Sequence, residues 1–217
     1  MAKVRAMTAE VGTKLRSDAR DNRERILAVA RLAFATEGLD VPIREIARRA
    51  GVGPATVYRH FDTKDALLAG AFAEQMAICS AVIEEGLAAT DPWVGFRLVV
   101  ERLMEMHALD RGFARAFTSP LPQAIFAAER DRSLWMLLEL VRRAKEAGPL
   151  RRDFVLDDLV MALMAGDGIR ADSPETRVAA TRRFAALMLQ SFMADPVPAP
   201  LPPAVRLPLP TVGAVTT

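Results

Sequence analysis

The sequence predicts an all-α protein, and three observations carry that prediction. Apolar residues recur at spacings of three and four over most of the chain, which is the period of one helix face. No stretch of strand length alternates apolar and polar residues convincingly. Glycine and proline fall between the periodic segments, where helices begin and end. At 217 residues, the chain can form one large or two small domains with a buried core.

The stretch Ile43–Leu68 contains two short amphipathic segments hinged at a glycine turn, and a third helix begins near its end. Gly51 stands where a helix ends in the left-handed conformation that glycine adopts cheaply. Pro54 stands at the first position of the next helix, where its missing N–H costs nothing. Val57 and Phe61, four residues apart, anchor that helix and leave its other faces outside. The layout predicts a helix-turn-helix whose second helix enters a DNA major groove.

The helices around this motif follow from the same patterns. A first helix is predicted from Ser17 or Asp18 to Glu37, and the helix that begins at Lys64 extends to about Leu87. The body then continues with a helix from Pro92 broken at Gly112, a second break at Ser119–Pro122, and helices over 123–147, from Leu156 and from Pro174. The predicted organisation is a basic arm (1–19), a DNA-binding domain (20–66), a helical body (67–194) and a proline-rich tail (195–217).

The two ends of the chain show no helical period. Residues 1–19 hold four basic residues and are predicted to form a flexible arm; a role on DNA and no role both stay open. Residues 195–217 hold seven of the fourteen prolines and no apolar face that could dock. We expect a disordered or polyproline-type tail.

Charge is distributed unevenly along the chain. Residues 1–64 carry 13 Lys and Arg against 8 Asp and Glu, whereas residues 65–217 carry 16 against 19. A basic head on a mildly acidic body indicates a polyanion partner for the head, although so small an excess also suits an ordinary solvated surface.

Several function classes lack their signatures. The chain has no Walker loop, dinucleotide fingerprint, CxxC or HExxH. His107 extends an apolar stripe and fits a core or pocket position better than a catalytic or metal-binding one. The lone Cys79 sits among apolar residues and suits a reducing compartment. No apolar run approaches the ~20 residues of a membrane span. We therefore expect a cytoplasmic protein that is not an enzyme, with no cofactor or metal.

The run G-V-G-P-A-T-V-Y-R-H-F-D-T-K-D-A-L-L, residues 51–68, resembles the DNA-binding signature of the tetracycline-repressor (TetR) family. The resemblance extends from about Arg23 to Leu68, roughly the first third of the chain. Two positions depart from the family pattern. Val41-Pro42 replaces the usual Thr or Ser cap of the motif's first helix, and Gly53 replaces the usual Ser cap of its second. The first change removes a hydroxyl that often touches a phosphate in the family.

The resemblance implies roles for residues of the motif. Arg44, Pro54, Ala55 and Thr56 would meet base edges, with the Ala55 methyl placed for thymine. The remaining DNA-binding residues that it implies, chiefly phosphate contacts, are Tyr58, Arg59, His60 and Lys64.

The body holds aromatic and methionine residues that suit an apolar ligand pocket or an ordinary core equally well. The resemblance favours the pocket, because similar proteins bind an effector inside the body and dimerise through their last two helices. The expected pocket residues are Trp93, Phe96, Met104, His107, Phe117, Trp135 and Met161. The expected dimer-interface residues are Leu159, Leu163, Phe184, Met188 and Phe192.

The favoured function is therefore a homodimeric transcriptional regulator that binds a palindromic DNA operator, represses, and is released by a small, largely apolar effector. One alternative is a DNA-binding module switched by a protein partner or by nothing. The other is an enzyme built on a helical body, which the lack of any nucleophile–base or metal spacing disfavours.

Overall fold

The computed structural model describes residues 2–118, 127–196 and 199–208, with side chains over 20–114, 131–196 and 199–208. All the named elements in these ranges are helices, which confirms the predicted all-α class. They are α1 (Ala2–Glu37), α2 (Ile43–Arg49), α3 (Pro54–His60), α4 (Lys64–Ala88), α5 (Pro92–Leu109), α6 (Arg111–Thr118), α7 (Ala127–Glu146), α8 (Leu156–Asp167) and α9 (Pro174–Phe192).

The described residues divide into two compact units, residues 2–74 and residues 75–118, 127–196 and 199–208. The first unit extends beyond the predicted boundary at residue 66 because the start of α4 belongs to its core. Leu67, Leu68 and Phe72 are buried there, and the Phe72 ring lies 6.2 Å from the ring of Phe34 in α1.

Side-chain caps fix the starts of three helices in the second unit. Asp91 Oδ1 accepts a hydrogen bond from the backbone N–H two residues on, at 2.8 Å, and so starts α5. Ser173 Oγ accepts from the N–H three residues on, at 3.1 Å, and starts α9. At α8, the Asp158 carboxylate accepts from the N–H of Val155 at 2.8 Å. The predicted starts of α5, α8 and α9 are confirmed, and each cap satisfies a backbone donor that the helix leaves unpaired.

Helix α1 begins at Ala2 rather than near Ser17, so the prediction of a separate flexible arm was wrong for the backbone of residues 2–19. These residues contain no proline and only one glycine, Gly12. Once the following turns are helical, each added residue costs little, because propagation is much easier than nucleation.

The break after α5 lies at Asp110 rather than at Gly112. The Asp110 carboxylate accepts from the backbone N–H of Phe113 at 2.9 Å and caps α6, so Gly112 lies inside that helix. A capping aspartate stabilises a helix start by about 1 kcal/mol, which offsets the similar cost of an interior glycine. The predicted break at Ser119–Pro122 and the predicted start of α7 at Gln123 lie outside the described residues.

Aromatic rings and a close helix contact organise the second unit around α5. Phe96 is fully buried, and its ring meets those of Phe154 and Phe192 edge-on, at 5.4 Å and 6.5 Å between centroids. Gly95 approaches Gly86 of α4 so closely that a Cβ on Gly95 would lie 2.1 Å from the Gly86 carbonyl oxygen. The two glycines therefore let α4 and α5 pack backbone to backbone.

Helix α4 is the one described helix that is long and apolar enough to cross a membrane by length and composition, contrary to the prediction that no stretch would approach this length. A core helix passes the same test, and 44% of its apolar window is buried inside the protein. Cys79 on this helix is 2% exposed, and burial raises the pKa of its thiol to about 11. It is therefore a core residue.

Residues 199–208 lie against α9, so the prediction of a tail that does not dock was wrong for this segment. Gln190 Nε2 donates to the Ala199 carbonyl at 3.2 Å, and Arg183 Nη1 donates to the Pro202 carbonyl. The sequence pattern missed this contact because the tail presents backbone carbonyls rather than an apolar face.

Candidate nucleic-acid interface

The turn between α2 and α3 is built by two glycines with different backbone angles. Gly51 has φ +67°, in the left-handed region that favours glycine. The backbone N–H of Val52 then reaches back to the Ala47 carbonyl at 3.0 Å and closes the end of α2. Gly53 is extended, with φ −73° and ψ 150°, and precedes Pro54 at the first turn of α3. The predicted helix-turn-helix geometry is confirmed by these angles.

Helix α3 is held by two apolar side chains. Val57 is fully buried and Phe61 is 4% exposed, and the Arg23 guanidinium of α1 lies 5.3 Å from the centroid of the Phe61 ring. The predicted DNA-binding residues lie on the remaining faces of the helix. The exposed ones are Pro54, Ala55, Tyr58 and Arg59, and the half-buried ones are Thr56 and His60.

Two arginines of α2 are bound by carboxylates. Glu45 accepts from Arg48 at 2.6 and 2.9 Å and from Arg49 at 2.7 Å. Arg49 also reaches Glu37 at the end of α1, with a second hydrogen bond of 2.9 Å. Hydrogen bonds from Arg48 and then Arg49 lower the pKa of Glu45 to about 2, so Glu45 stays ionised and keeps both guanidinium groups near α2.

Two other cations near α3 have no such partner. Among the residues that the structure describes, Arg44 and Lys64 make no ion pair or hydrogen bond through their side chains. Arg44 is exposed at the start of α2, and Lys64 is half-exposed at the start of α4. Arg44 and Lys64 are therefore available to an anionic ligand without first breaking an internal pair.

Thr63, which the sequence analysis missed, caps α4 by accepting from the N–H of Ala66 at 3.0 Å.

Comparison with known proteins matches this unit. The family model described as "Bacterial regulatory proteins, tetR family" matches residues 26–71. A helix-turn-helix-type transcriptional regulator of Staphylococcus aureus is 41% identical over 54 residues, which cover 24% of this chain and 29% of that protein. The match to the curated relatives thus spans under a third of their length.

Solved structures extend the similarity into the second unit. A TetR transcription regulatory protein from Mycobacterium vanbaalenii is 31% identical, covering 83% of this chain and 99% of that one, with a TM-score of 0.49. The chain belongs to the TetR family. A tetR-family regulatory protein from Rhodococcus RHA1 shares the fold, with a TM-score of 0.62, 23% identity and coverage of 80% and 98%.

This TetR-family regulator has a cavity of about 40 Å³ in its second unit, and four of the residues that line it are ionisable. His107 is 4% exposed, its Nδ1 lies 3.2 Å from Asp167 Oδ1, and its ring meets Phe113 edge-on at 5.9 Å. Arg177 Nε donates to the Ala108 carbonyl at 2.7 Å beside the cavity. The other lining residues are Arg111, Ala114 and Gly166. The placement of His107 in a pocket was predicted; its three charged neighbours come from α6, α8 and α9, which sequence spacing could not bring together.

The other predicted pocket residues are scattered in the structure. Phe96 and Met104 are fully buried in packed surroundings, and Trp93 lines a groove beside α9. Trp135 and Met161 are 74% and 64% exposed, so the prediction that they line an internal pocket was wrong. The Phe117 side chain lies outside the described part of the chain.

The predicted dimer residues separate into two groups. Leu159, Leu163 and Phe192 are buried within the chain, at 1%, 3% and 8% exposure, so their assignment to an intermolecular surface was wrong. Phe184 and Met188 are half-buried on α9. The large apolar side chains that α8 and α9 expose are Val160, Met161, Met164 and Leu187. The sequence identified the apolar stripes but could not tell which side of each helix faces the core.

Proposed function

We propose that this regulator is a cytoplasmic repressor that binds a palindromic operator as a homodimer and leaves it when a small effector binds in the second unit. The observation that carries the proposal is the exposed α3 with the unpaired cations Arg44 and Lys64 near it. An exposed recognition helix flanked by free cations is suited to a DNA groove lined by phosphates. The function is binding rather than catalysis.

The proposed roles of the DNA-binding residues follow from their chemistry and their positions in the motif. Arg44, Pro54, Ala55 and Thr56 read base edges, because they lie at the starts of the two motif helices. Arg59 donates to Thr56 Oγ1 at 3.0 Å and so orients that hydroxyl. Tyr58, Arg59, His60 and Lys64 then contact phosphates and set the register on the duplex.

The proposed dimer surface is the apolar face that α8 and α9 leave uncovered: Val160, Met161, Met164, Phe184, Leu187 and Met188. A two-fold interface uses the same patch on both subunits. One substitution that adds a charge to this patch therefore places two charges in the interface. We expect Met161→Glu and Leu187→Glu to give monomers, with Ala77→Glu, at an exposed position of α4, as the control. Sedimentation velocity decides; if both interface variants stay dimeric, the surface lies elsewhere.

The dimer matters for DNA binding because one α3 supplies few contacts. A closed dimer places two recognition helices on the same face of the duplex, about 34–36 Å apart or a multiple of that distance. The monomeric variants should therefore lose tight operator binding while each chain remains folded by circular dichroism.

The proposed effector carries a polar group for the cavity at His107. A volume of about 40 Å³ holds such a group and not a whole ligand, so the apolar remainder of the effector would extend beyond it. Helix α4, which contributes residues to both units, is the element proposed to transmit the change by altering the spacing of the two recognition helices.

The test is selection of bound DNA from a random duplex library, followed by a compound screen for release. We expect a palindromic sequence and at least one small apolar compound that releases it. Selected DNA with a single unrepeated half-site would contradict the dimer model. Release only by a protein from the host would favour the partner-switched alternative.

A further inference from the structure

The last described segment, residues 199–208, forms what we call the strap. The strap runs antiparallel to α9. Its hydrogen bonds show this, because Arg183 donates to Pro202 and the later Gln190 donates to the earlier Ala199. Seven residues of α-helix rise about 10.5 Å, and three residues of polyproline-type chain span about 9 Å. The two spacings agree, so both donors engage an extended strap without distorting it.

Proline chemistry explains this mode of attachment. Pro200, Pro202 and Pro203 have no N–H to donate, so at these positions the strap backbone can only accept hydrogen bonds. The prolines also restrict the free chain, which lowers the entropy lost when the strap docks. The strap is therefore stiff, and two side chains of α9 hold it by hydrogen bonds.

The strap does not fill the groove that it covers. A space of about 390 Å³ lies between it, α5 and α9, within the range of about 300–1,000 Å³ typical of small-molecule sites. Trp93 lies at one side, stacked on Phe96 at 5.8 Å between centroids. The remaining apolar lining comes from Ala186, Leu189 and Met193 of the α9 region and from Ala199, Pro200 and Pro202 of the strap.

The charged residues of the groove compensate each other. Arg97 and Glu101, one turn apart on α5, lie 3.9 Å from each other, and Gln190 already donates to the strap. An indole face and two proline rings offer flat apolar surfaces. A charged ligand would find no excess opposite charge in this lining, whereas an uncharged planar one would meet matching surfaces.

We propose that this groove is a second small-molecule site, for an uncharged, flat and largely apolar molecule, and that the strap clamps it. The site shares no lining residue with the cavity at His107. It goes beyond the proposed repressor function and does not depend on it.

The probe is N-phenyl-1-naphthylamine, an uncharged two-part aromatic fluorophore that accepts excitation energy from tryptophan. We expect saturable binding of one probe per full-length chain, with energy transfer from Trp93. Trp93→Phe should reduce the transfer more than Trp135→Phe does, because Trp93 lines the groove and Trp135 does not.

Filling the groove gives a second, independent readout. Ala186→Phe should weaken probe binding by about tenfold, because the added ring occupies the space the probe needs. Ala77→Phe, at an exposed position on α4, is the matched control and should bind as the wild type does. Equal affinity for both variants and the wild type would overturn the assignment of the site.

The clamp is tested by proteolysis and by truncation. Trypsin can cut the strap after Arg206, and saturating probe should slow that cut several-fold in the full chain. A chain ending at residue 196 should bind the probe about tenfold more weakly while keeping its helical circular dichroism. Gln190→Ala removes one hydrogen bond to the strap, so its affinity for the probe should lie between those of the full and the truncated chain. If cleavage is insensitive to the probe and the truncated chain binds as tightly as the full one, the strap is not a clamp.

Discussion

The second unit and the helix-turn-helix of the first unit differ in what some of their arginines contact. In the second unit, long arginine side chains join separate elements: Arg177 donates to the Ala108 carbonyl at 2.7 Å, and Arg132 meets Glu84 at 2.6 Å. In the helix-turn-helix, Arg49 also joins two helices, through Glu37 of α1. Arg44, however, reaches no partner within the described residues, and Arg48 is held by a glutamate on its own helix.

The difference shows that net charge alone does not indicate how readily a unit can bind a phosphate. It also matters whether each cation already has an internal partner. A guanidinium already bound to a carbonyl or carboxylate must lose that partner before it can neutralise a phosphate. An unpaired one binds without that cost. We therefore expect the unpaired Arg44 and Lys64, rather than the small basic excess of residues 1–64 as a whole, to contribute to the binding of a polyanion.

The largest effect should come from removing an arginine that donates to a partly buried carbonyl. Arg177→Ala leaves the Ala108 carbonyl without its charged donor in a partly buried place, and we expect a loss of about 1.5–3 kcal/mol in unfolding free energy. Arg182→Ala is the matched control on α9: its 2.7 Å pair with Glu105 is largely exposed and should contribute below about 1 kcal/mol. Urea denaturation compares the two; equal losses would contradict the distinction.

Arg44→Ala should leave the unfolding free energy unchanged but weaken the recognition of particular DNA base pairs. We expect a cost of about 1–3 kcal/mol at particular base pairs, measured by titration of operator variants. Arg48→Ala, on the same helix but with its guanidinium bound to Glu45, should cost less. A uniform loss on all sequences would instead place Arg44 on a phosphate.

Lys64→Ala should weaken binding about equally on every sequence. Loss of one phosphate contact reduces the slope of log affinity against log salt by about 1. Tyr58→Phe should also weaken all sequences alike but leave the slope unchanged, because no charge is removed. A changed sequence preference in Lys64→Ala would show that this residue reads bases.

The smallest effect concerns the pairing on α2. Because the folded pKa of Glu45 is about 2, below the ordinary 4.5, its ionised form stabilises the fold above pH 4.5, and that contribution is lost as the pH falls towards 2. The wild type should therefore exceed Glu45→Gln in Tm near pH 7 and lose the advantage between pH 4.5 and 2. A constant difference down to pH 2.5 would contradict the shift.

The helix-turn-helix could be predicted from the sequence because short-range rules determine it. Gly51 has the left-handed angle that its position indicated, Pro54 begins α3, and Val57 and Phe61 are buried as their spacing required. Each of these features depends on neighbours within a few residues. The bonds that occupy Arg48 and Arg49 are also local, and their i, i+3 and i, i+4 spacing from Glu45 was a signal available in the sequence.

The sites of the second unit depend on which helices meet, and this is where prediction failed. An apolar stripe marks a face that is covered, but the covering element can be a neighbouring helix or a second copy. Leu159 and Met161, two residues apart on α8, were assigned to an interface and a pocket; the first lies in the core and the second on the surface. The docking of the strap depends on which segment meets the face of α9 that carries Arg183 and Gln190; their seven-residue spacing puts both on one face, but no local pattern encodes what covers it.

Because Cys79 is buried, thiol reagents should react with an introduced cysteine and not with the natural one. A thiol whose pKa is about 11 is almost entirely protonated at neutral pH, and at 2% exposure it is also shielded from reagents. A cysteine introduced at the exposed Ala55 would therefore take up a maleimide fluorophore or a spin label selectively, with the natural cysteine left in place. Spin-labelled protein of this kind would test the proposed dimer, because pulsed electron paramagnetic resonance would give the distance between its two recognition helices in solution.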